Sequence, residues 1–436
     1  MLDLIVLGGG PGGVACARRA AGLGATVALI DADWRQGRAI RGWLPKRFLA
    51  QAARSSDLAD PDGAFRAFQA RRDQAVAEAL ERLVLELDEA GVRVVASAAR
   101  VESAAPPVVV AGDMRLEARE LVLAVGARAA APDWGSDLVE PAEALYADTG
   151  PLPSRVVIVG GGYIATAQAA LLRSFGIEVT LVLPETEPLG GFDEDLRRLV
   201  GDRLVAQGVR LRPETTVTMV ERAEHGVRVR TTAGDLLADR VVCAGERVLR
   251  PNTAALDLER FGVRLAVDGA VHVDVRYAAS APHLYAIGDC ADHAGQGLDG
   301  STFDYGAVAA AEGEAVAEHL FGANSPPPLD YDHVPVLVHG RPEIAAVGLG
   351  EARARALGFD VVAASRRGRE RFVKLVADRA SGRILGCHLL GEGAGALIQG
   401  LALALGAGAD LARLQRTVAA PHTLAEELLA LAKGLG

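Results

Sequence analysis

Two copies of one strand, glycine turn, helix and strand pattern, about 150 residues apart, precede a tail of short strand-like runs and apolar helices. Together they predict an α/β protein with two doubly wound units followed by a C-terminal α+β domain. The expected division is 1–143 and 256–328 for a discontinuous first domain, 144–255 for the second and 329–436 for the tail.

The first copy opens with the apolar run Leu4–Leu7, then Gly8-Gly9-Gly10-Pro11-Gly12-Gly13, a helical segment over Val14–Gly24, and a second apolar run, Thr26–Ile30, ending on Asp31. Gly8 permits the tight turn, Gly10 admits a pyrophosphate to the backbone, and Gly13 lets the helix pack on the strand. Phosphates then sit on the helix N-terminus, and Asp31, about 20 residues on, is placed to hold a ribose hydroxyl. A glycine pattern alone is weak evidence; with strand, helix and acid all present it predicts a dinucleotide site.

After Asp31 the segment Trp34–Ala50 reads as a loop running into a helix, and Phe65–Ala90 as a long amphipathic helix. Short runs at Val92–Ala96 and Val108–Val110 read as strands, and Leu121–Ala127 as a buried strand ending in small residues. Pro132–Pro153, rich in Pro, Gly and Asp, is the expected domain joint. The second copy follows: strand Arg155–Val159, turn Gly160-Gly161-Gly162-Tyr163-Ile164-Ala165, helix Thr166–Phe175 and strand Glu178–Leu183. It marks a second dinucleotide site or the relic of one. Gly191–Gly208 reads as a helix, Val209–Leu237 as short strands, and Val241–Gly245 as the closing strand. The chain then returns to the first domain, where Leu284–Asp289 is a strand with an acid at its carboxyl end, the edge at which open α/β sheets bind ligands. Ala307–Leu320 is the helix after it, and Ser325–Pro328 a linker into the tail.

Composition narrows the function. Hydrophobic content of 50% supports sizeable cores, and a net charge of −10 without a basic block argues against nucleic acid or an anionic membrane as the main partner. No signal peptide is read at the N-terminus, and Ala394–Ala409 reads as a buried helix rather than a membrane span; a cytoplasmic protein is expected. Cys16, Cys243, Cys290 and Cys387 are scattered, with no metal or redox spacing, and the histidines offer no metal site. The lysines are Lys46, Lys374 and Lys433 only.

The chain resembles the flavin-dependent pyridine nucleotide-disulfide oxidoreductases, the dihydrolipoamide dehydrogenase, glutathione reductase and mercuric reductase group. The match rests on both glycine turns, Leu123–Ala127, Gly245-Glu246-Arg247 with Pro251-Asn252-Thr253, Ala286-Ile287-Gly288-Asp289, Arg341–Gly348 and Gly382–Gly386. The resemblance implies two Rossmann-like domains, one for FAD and one for NAD(P), and a homodimer through the tail. It implies FAD on Gly8, Gly10, Pro11, Gly12 and Gly13, with Asp31 on the adenosine ribose, Gly126 and Ala127 lining the cofactor, and Gly288 with Asp289 at the ribityl or pyrophosphate region. It implies a nicotinamide dinucleotide on Gly160, Gly162, Tyr163 and Ile164.

The departures concern the chemistry. The family's redox disulfide lies in a Cys-x-x-x-x-Cys-x-Pro pattern; here the stretch is Gly37–Lys46, and with Pro45 as register and one deleted residue the cysteine positions fall at Ala39 and Trp43. The family's His-Pro-Thr-x-x-Glu becomes Pro421-His422-Thr423-Leu424-Ala425-Glu426, with the imidazole moved by one position. Acid–base catalysis needs about 3 Å reach, so a one-residue shift removes it. Dithiol, glutathione and mercuric-ion chemistry by the family route is therefore expected to be lost. Ala167 stands where the family has a Glu near the nicotinamide, and Leu183–Glu187 carries two carboxylates and no arginine, favouring NADH over NADPH with Glu185 as ribose ligand. Lys46 matches a family lysine near the flavin and would stabilise its reduced anion. Trp43 either shields the flavin or fills the space of a sulfur, His422 is a structural or a catalytic group, and Glu426 pairs with His422 or caps a helix. Cys290 reads as a buried, inert thiol. The expected function is FAD-dependent transfer of hydride from NADH directly to an acceptor, without a disulfide relay. The alternative is a non-catalytic FAD-binding paralogue acting as a dimeric scaffold or partner subunit. A third reading places an anionic substrate beside Arg38, Arg41, Trp43 and His422.

Overall fold

The computed structural model describes residues 1–34, 49, 60–129, 132–135, 137–147, 150–245, 249–293 and 305–435. The contacts divide the chain into two units. The first comprises Met1–Pro45, Ala70–Ala130 and Val248–Tyr331; the second comprises Lys46–Gln69, Ala131–Arg247 and Asp332–Gly436.

The first unit is built on a parallel sheet in which Leu2–Leu7 lies between Val27–Ile30 and Met114–Leu123. Arg93–Val95 extends it beyond Val27–Ile30, and Leu284–Ala286 extends it beyond Met114–Leu123. Leu4–Leu7 of the first strand and Val27–Ile30 are buried apolar runs, as strands covered on both faces require. Met114–Leu123 is longer than its apolar end suggests, because its first half alternates and pairs antiparallel with Pro107–Ala111, which pairs in turn with Ala99–Ala104. The half-exposed sequence ARVESA carries too few apolar residues to announce the last of these strands.

The first helix runs Pro11–Gly22, starting three residues before the sequence reading placed it. Proline belongs at the first helical position, where its missing N–H would find no partner anyway. The helix Gly306–Phe321 packs on it at backbone distance: a Cβ at Gly12 would lie 2.8 Å from the Ala309 carbonyl oxygen, and one at Gly313 2.3 Å from the Gly12 oxygen.

In the second unit, Arg155–Val159 lies between Glu178–Val182 and Arg240–Cys243 in a parallel sheet completed by Arg210–Arg212 and Val139–Pro141. Its helices are Tyr163–Ser174 and Glu194–Ala206; the second begins late because Asp193 caps it, accepting the Asp195 N–H at 3.1 Å. A three-stranded antiparallel sheet, Val217–Ala223, Gly226–Thr231 and Gly234–Ala238, follows. The tail has a five-stranded antiparallel sheet in the order Val336–Val338, Ile344–Gly348, Ile384–Leu390, Phe372–Asp378, Val361–Arg367, with helices Ala394–Gly406 and Leu424–Gly434. Although the tail owns its sheet, Val338, Ile344, Phe372 and Leu390 share one apolar cluster with Leu171 and Phe175 of the helix Tyr163–Ser174 and its C-terminal end and with Leu181 of the parallel sheet. It is therefore packed into the second unit rather than standing apart from it. Among the described residues no helix is long and apolar enough to cross a membrane, and no His, Cys, Asp and Glu group could hold a metal ion.

Candidate functional site

In the first unit the strand register brings the candidate residues to one edge. Leu7 pairs with Ile30 and with Leu123, and Leu123 with Ala286. Gly8, Asp31, Ala124–Ala127 and Ile287–Asp289 consequently leave the sheet together at its carboxyl end. The crossing of connections to opposite sides of Leu2–Leu7 opens a crevice there.

Gly8 has φ +108°, and a Cβ on it would lie 2.1 Å from the Ala124 oxygen; one on Gly13 would lie 1.9 Å from the Gly8 oxygen. No side chain fits at either place. Gly10 is the opposite case: nothing lies within 4 Å of where its Cβ would be. It heads the first helix, no side chain caps that end and no acid occupies the first turn. The helix start thus presents unclaimed N–H groups and a positive dipole end to open space, the arrangement an anion such as a pyrophosphate requires.

Asp31 is fixed by two backbone donors. The Gly9 N–H reaches Oδ2 and the Asp33 N–H reaches Oδ1, each at 2.6 Å. The carboxylate is held beside the turn with acceptor capacity left for ribose hydroxyls. Trp34, which sequence reasoning did not single out, closes this corner: a Cβ on Gly9 would meet its Cε3 at 2.8 Å. On the other side Asn252 supports the Gly126–Ala127 corner, its N–H bonding the Gly126 carbonyl and its Nδ2 the Val125 carbonyl, both at 2.9 Å.

Asp289 lies in the turn Gly288–Cys290 beyond the last strand. Burial pushes its carboxyl above the usual range, against its own N–H and the nearby His293. Cys290 is fully buried and its thiol is pushed up to about 11, which makes it inert at neutral pH. These observations fit FAD: an uncapped helix start open to an anion and two acids, Asp31 and Asp289, converge on one crevice. Lys46 and Trp43, like Arg38, Ala39, Arg41 and Pro45, lie outside the described residues.

The second unit repeats the geometry. Val159 pairs with Val182 and Cys243, and a Cβ on Gly160 would lie 2.1 Å from the Gly245 Cα. Gly162 faces open space and heads the helix Tyr163–Ser174 without a side-chain cap; Tyr163 and Ile164 pack partly buried at its start. Glu185 is exposed and its Oε2 lies 2.8 Å from a Cβ built on Gly161, so it stands beside this turn as Asp31 stands beside the first. The acidic turn is less acidic in space than in sequence. Arg198 reaches Glu187 at 3.5 Å, and Arg197 donates to the Pro188 and Glu187 carbonyls at 3.1 Å. The absence of arginine from Leu183–Glu187 therefore does not carry over to the folded turn. Ala167 is buried in the helix.

In the tail, Thr423 caps the helix Leu424–Gly434, accepting the Glu426 N–H at 3.4 Å. Glu426 reaches back to accept the His422 backbone N–H at 2.7 Å. Of the two roles expected for Glu426, the structure places it at the helix start, bonded to the His422 backbone rather than its imidazole. His422 is exposed with φ +61°, and its carbonyl accepts from Arg371 at 3.4 Å.

Comparison with known proteins agrees with this architecture. Residues 2–315 match the model of the pyridine nucleotide-disulphide oxidoreductase family and residues 334–432 that of its dimerisation domain. A glutathione reductase of Burkholderia cepacia is 33% identical over 98% of both chains. A dihydrolipoyl dehydrogenase of Geobacillus stearothermophilus is 29% identical over 97% of this chain and 94% of its own. Among solved structures, the Cu(II) complex of the HOCl-induced flavoprotein disulfide reductase RclA from Escherichia coli has a TM-score of 0.87 at 22% identity, covering 100% of this chain and 99% of that one. LpdA from Mycobacterium tuberculosis also has a TM-score of 0.87, at 23% identity, with complete coverage of both. Members of the group bind FAD and use NAD(P)H, as the two glycine turns require. The chain belongs to the pyridine nucleotide-disulphide oxidoreductase family, with two dinucleotide-binding α/β units and a C-terminal dimerisation domain.

Proposed function

We propose that the protein is an FAD-dependent oxidoreductase that takes reducing equivalents from NADH and passes them to an acceptor without a disulfide relay. The observation that carries this reading concerns the cysteines. Cys16, Cys243, Cys290 and Cys387 are all free and buried, and none lies in Gly37–Lys46. Burial pushes Cys16 and Cys387 up to about 12. A thiolate nucleophile needs the opposite environment, exposed and electropositive.

Bound FAD would supply two-electron acceptance from a nicotinamide and release to a quinone, oxygen, a second nicotinamide or an electron-transfer protein. The chain's own residues do the rest. Gly10, Gly12 and Gly13 hold phosphate, Asp31 the ribose, and Asp289 the middle of the cofactor. Glu185 beside Gly161 supports NADH, whose ribose offers two hydroxyls to a carboxylate, over NADPH, although Arg198 softens the local charge. Lys46 would steady negative charge on the reduced flavin, with Trp43 in place of a sulfur. The 45.3 kDa chain is expected to pair through its tail as a homodimer.

Anaerobic titration with NADH and with NADPH, following the visible flavin band and the thiol count together, tests the reading. NADH should bleach the band with no new thiols. Bleaching by neither nucleotide, or the appearance of two thiols on reduction, would overturn it. A scaffold role is the second reading, favoured by Glu426: it is spent on the helix start, not on an imidazole. Stable FAD that no hydride donor reduces would support that role.

A further inference from the structure

We infer that Glu312 is a positioning residue for the FAD site, setting the direction of the Gly288–Asp289 turn from behind. The inference rests on Asp289 facing the cofactor. Glu312 is 1% exposed and sits mid-helix on the inward face shared with Val308 and Val316. A carboxylate so placed needs donors, and two hydrogen-bond it while an imidazole stands beside it. The Gly288 N–H reaches Oε2 at 2.6 Å, the Tyr331 hydroxyl donates to Oε1 at 2.8 Å, and His293 Nε2 is 3.3 Å from Oε1. The Tyr331 hydroxyl lies in turn 3.2 Å from that of Tyr277.

The Gly288 contact gives this cluster a bearing on the cofactor. Gly288 has φ +65°, and its N–H is turned toward the Glu312 carboxylate. Without an acceptor that donor would be buried and unpaired, and the peptide would relieve it by rotating. Rotation would carry Asp289, the next residue, off its bearing. Glu312 cannot follow such a movement. Its helix meets the first helix at Gly12 and Gly313 with no room for a side chain between them, so the acceptor stays at a fixed depth behind the turn. Burial raises the Glu312 carboxyl, with His293, the Gly288 N–H and Tyr331 acting against it. The Gly288 N–H needs an oxygen acceptor at this reach, and an amide oxygen in the same place would serve it as a carboxylate does.

Reach and charge can be separated by stripping FAD from the protein and titrating it back, following flavin fluorescence. Glu312→Asp keeps the charge but withdraws the acceptor by one methylene, and should weaken FAD binding about 10- to 100-fold, the effect of leaving one buried donor unpaired. Glu312→Gln keeps the reach, its amide oxygen facing Gly288, and should stay within about threefold of the parent. Tyr331→Phe removes a partner on the far side of Glu312 and should lower the melting temperature of the apoprotein while leaving FAD affinity within about threefold. Parent-like binding by Glu312→Asp overturns the inference, as does an equal loss in Glu312→Gln or in Tyr331→Phe. Failure of the parent apoprotein to take up FAD would instead remove the cofactor assignment itself, and would be visible before any variant is made.

Discussion

Replacing Lys374 with Met should destabilise the second unit strongly. Lys374 is 3% exposed on the strand Phe372–Asp378, and its Nζ lies 2.7 Å from Asp195, 2.8 Å from Glu351 and 3.0 Å from Asp193. Methionine matches the stem but leaves three carboxylates facing one another. Asp193 is the costly one, because it is itself 3% exposed; Asp195 and Glu351 can turn toward water. Breaking a buried pair by removing one partner costs about 3–5 kcal/mol. Asp193 retains the N–H groups of Asp195 and Glu351 as donors, which places the expected loss near the lower end, about 3 kcal/mol.

For a unit of this size that is roughly 6–12 °C in melting temperature. The pH dependence gives a second check. Burial pushes the Asp193 carboxyl up, but His388, the Glu351 N–H and Lys374 outweigh it and hold it below the ordinary range. Lys374 likewise lowers Glu351. Depressed carboxyls contribute stability that is fully present above their unfolded values near pH 4 and is lost as pH falls through the folded ones. Three carboxylates, against its own burial, raise Lys374, and its share is present below its unfolded value near pH 10.4. The gap between parent and variant should therefore be full at pH 7 and close on acidification below about pH 4. Urea melts of the holoprotein at both pH values measure it. A loss under about 1 kcal/mol, or a gap that does not change with acid, would refute the reasoning.

Other outcomes follow from the same structure. Asp31→Ala removes an acceptor fixed by Gly9 and Asp33 and should weaken FAD binding about 10- to 100-fold, measured by ultrafiltration of released flavin. Thr423→Ala deletes a helix cap and should lower stability by about 1 kcal/mol in a thermal melt while leaving the flavin spectrum unchanged. A thiol reagent at pH 8 should find no reactive cysteine in the native protein and all four after denaturation, since every thiol is buried; rapid native labelling would contradict the inert assignment.

The parts of this molecule legible in sequence are those written in neighbouring residues. Gly8 to Asp31 carries strand, turn, helix and acid in one stretch, and the structure reproduces each. The repeat at Gly160 was legible for the same reason. Partnerships across long separations were not. Glu312 reads as an ordinary acid among alanines until the helix is docked and its side chain found behind Gly288. Arg198 escaped because it comes from the next helix, and the Lys374 cluster because Asp193 joins it from far upstream. Trp34 carried a weak signal, a large aromatic just after Asp31. His422 and Thr423 show a finer limit: the motif's order of residues was visible, but the positive φ that the order produces at His422 was not.

The strand Leu284–Ala286 lies against Leu121–Leu123 in one sheet, with all five strands of the second unit's parallel sheet encoded between them. During synthesis the first sheet therefore waits. Its opening strands and phosphate turn emerge early, yet the strand that delivers Asp289 leaves the ribosome only after the intervening sheet has had time to form. Pairing so distant in sequence is slow, because a long loop must close before any contact rewards it. The nascent chain consequently exposes the bare flank of Leu121–Leu123 for that interval, and the edge that carries Asp289 is completed late rather than seeding the fold.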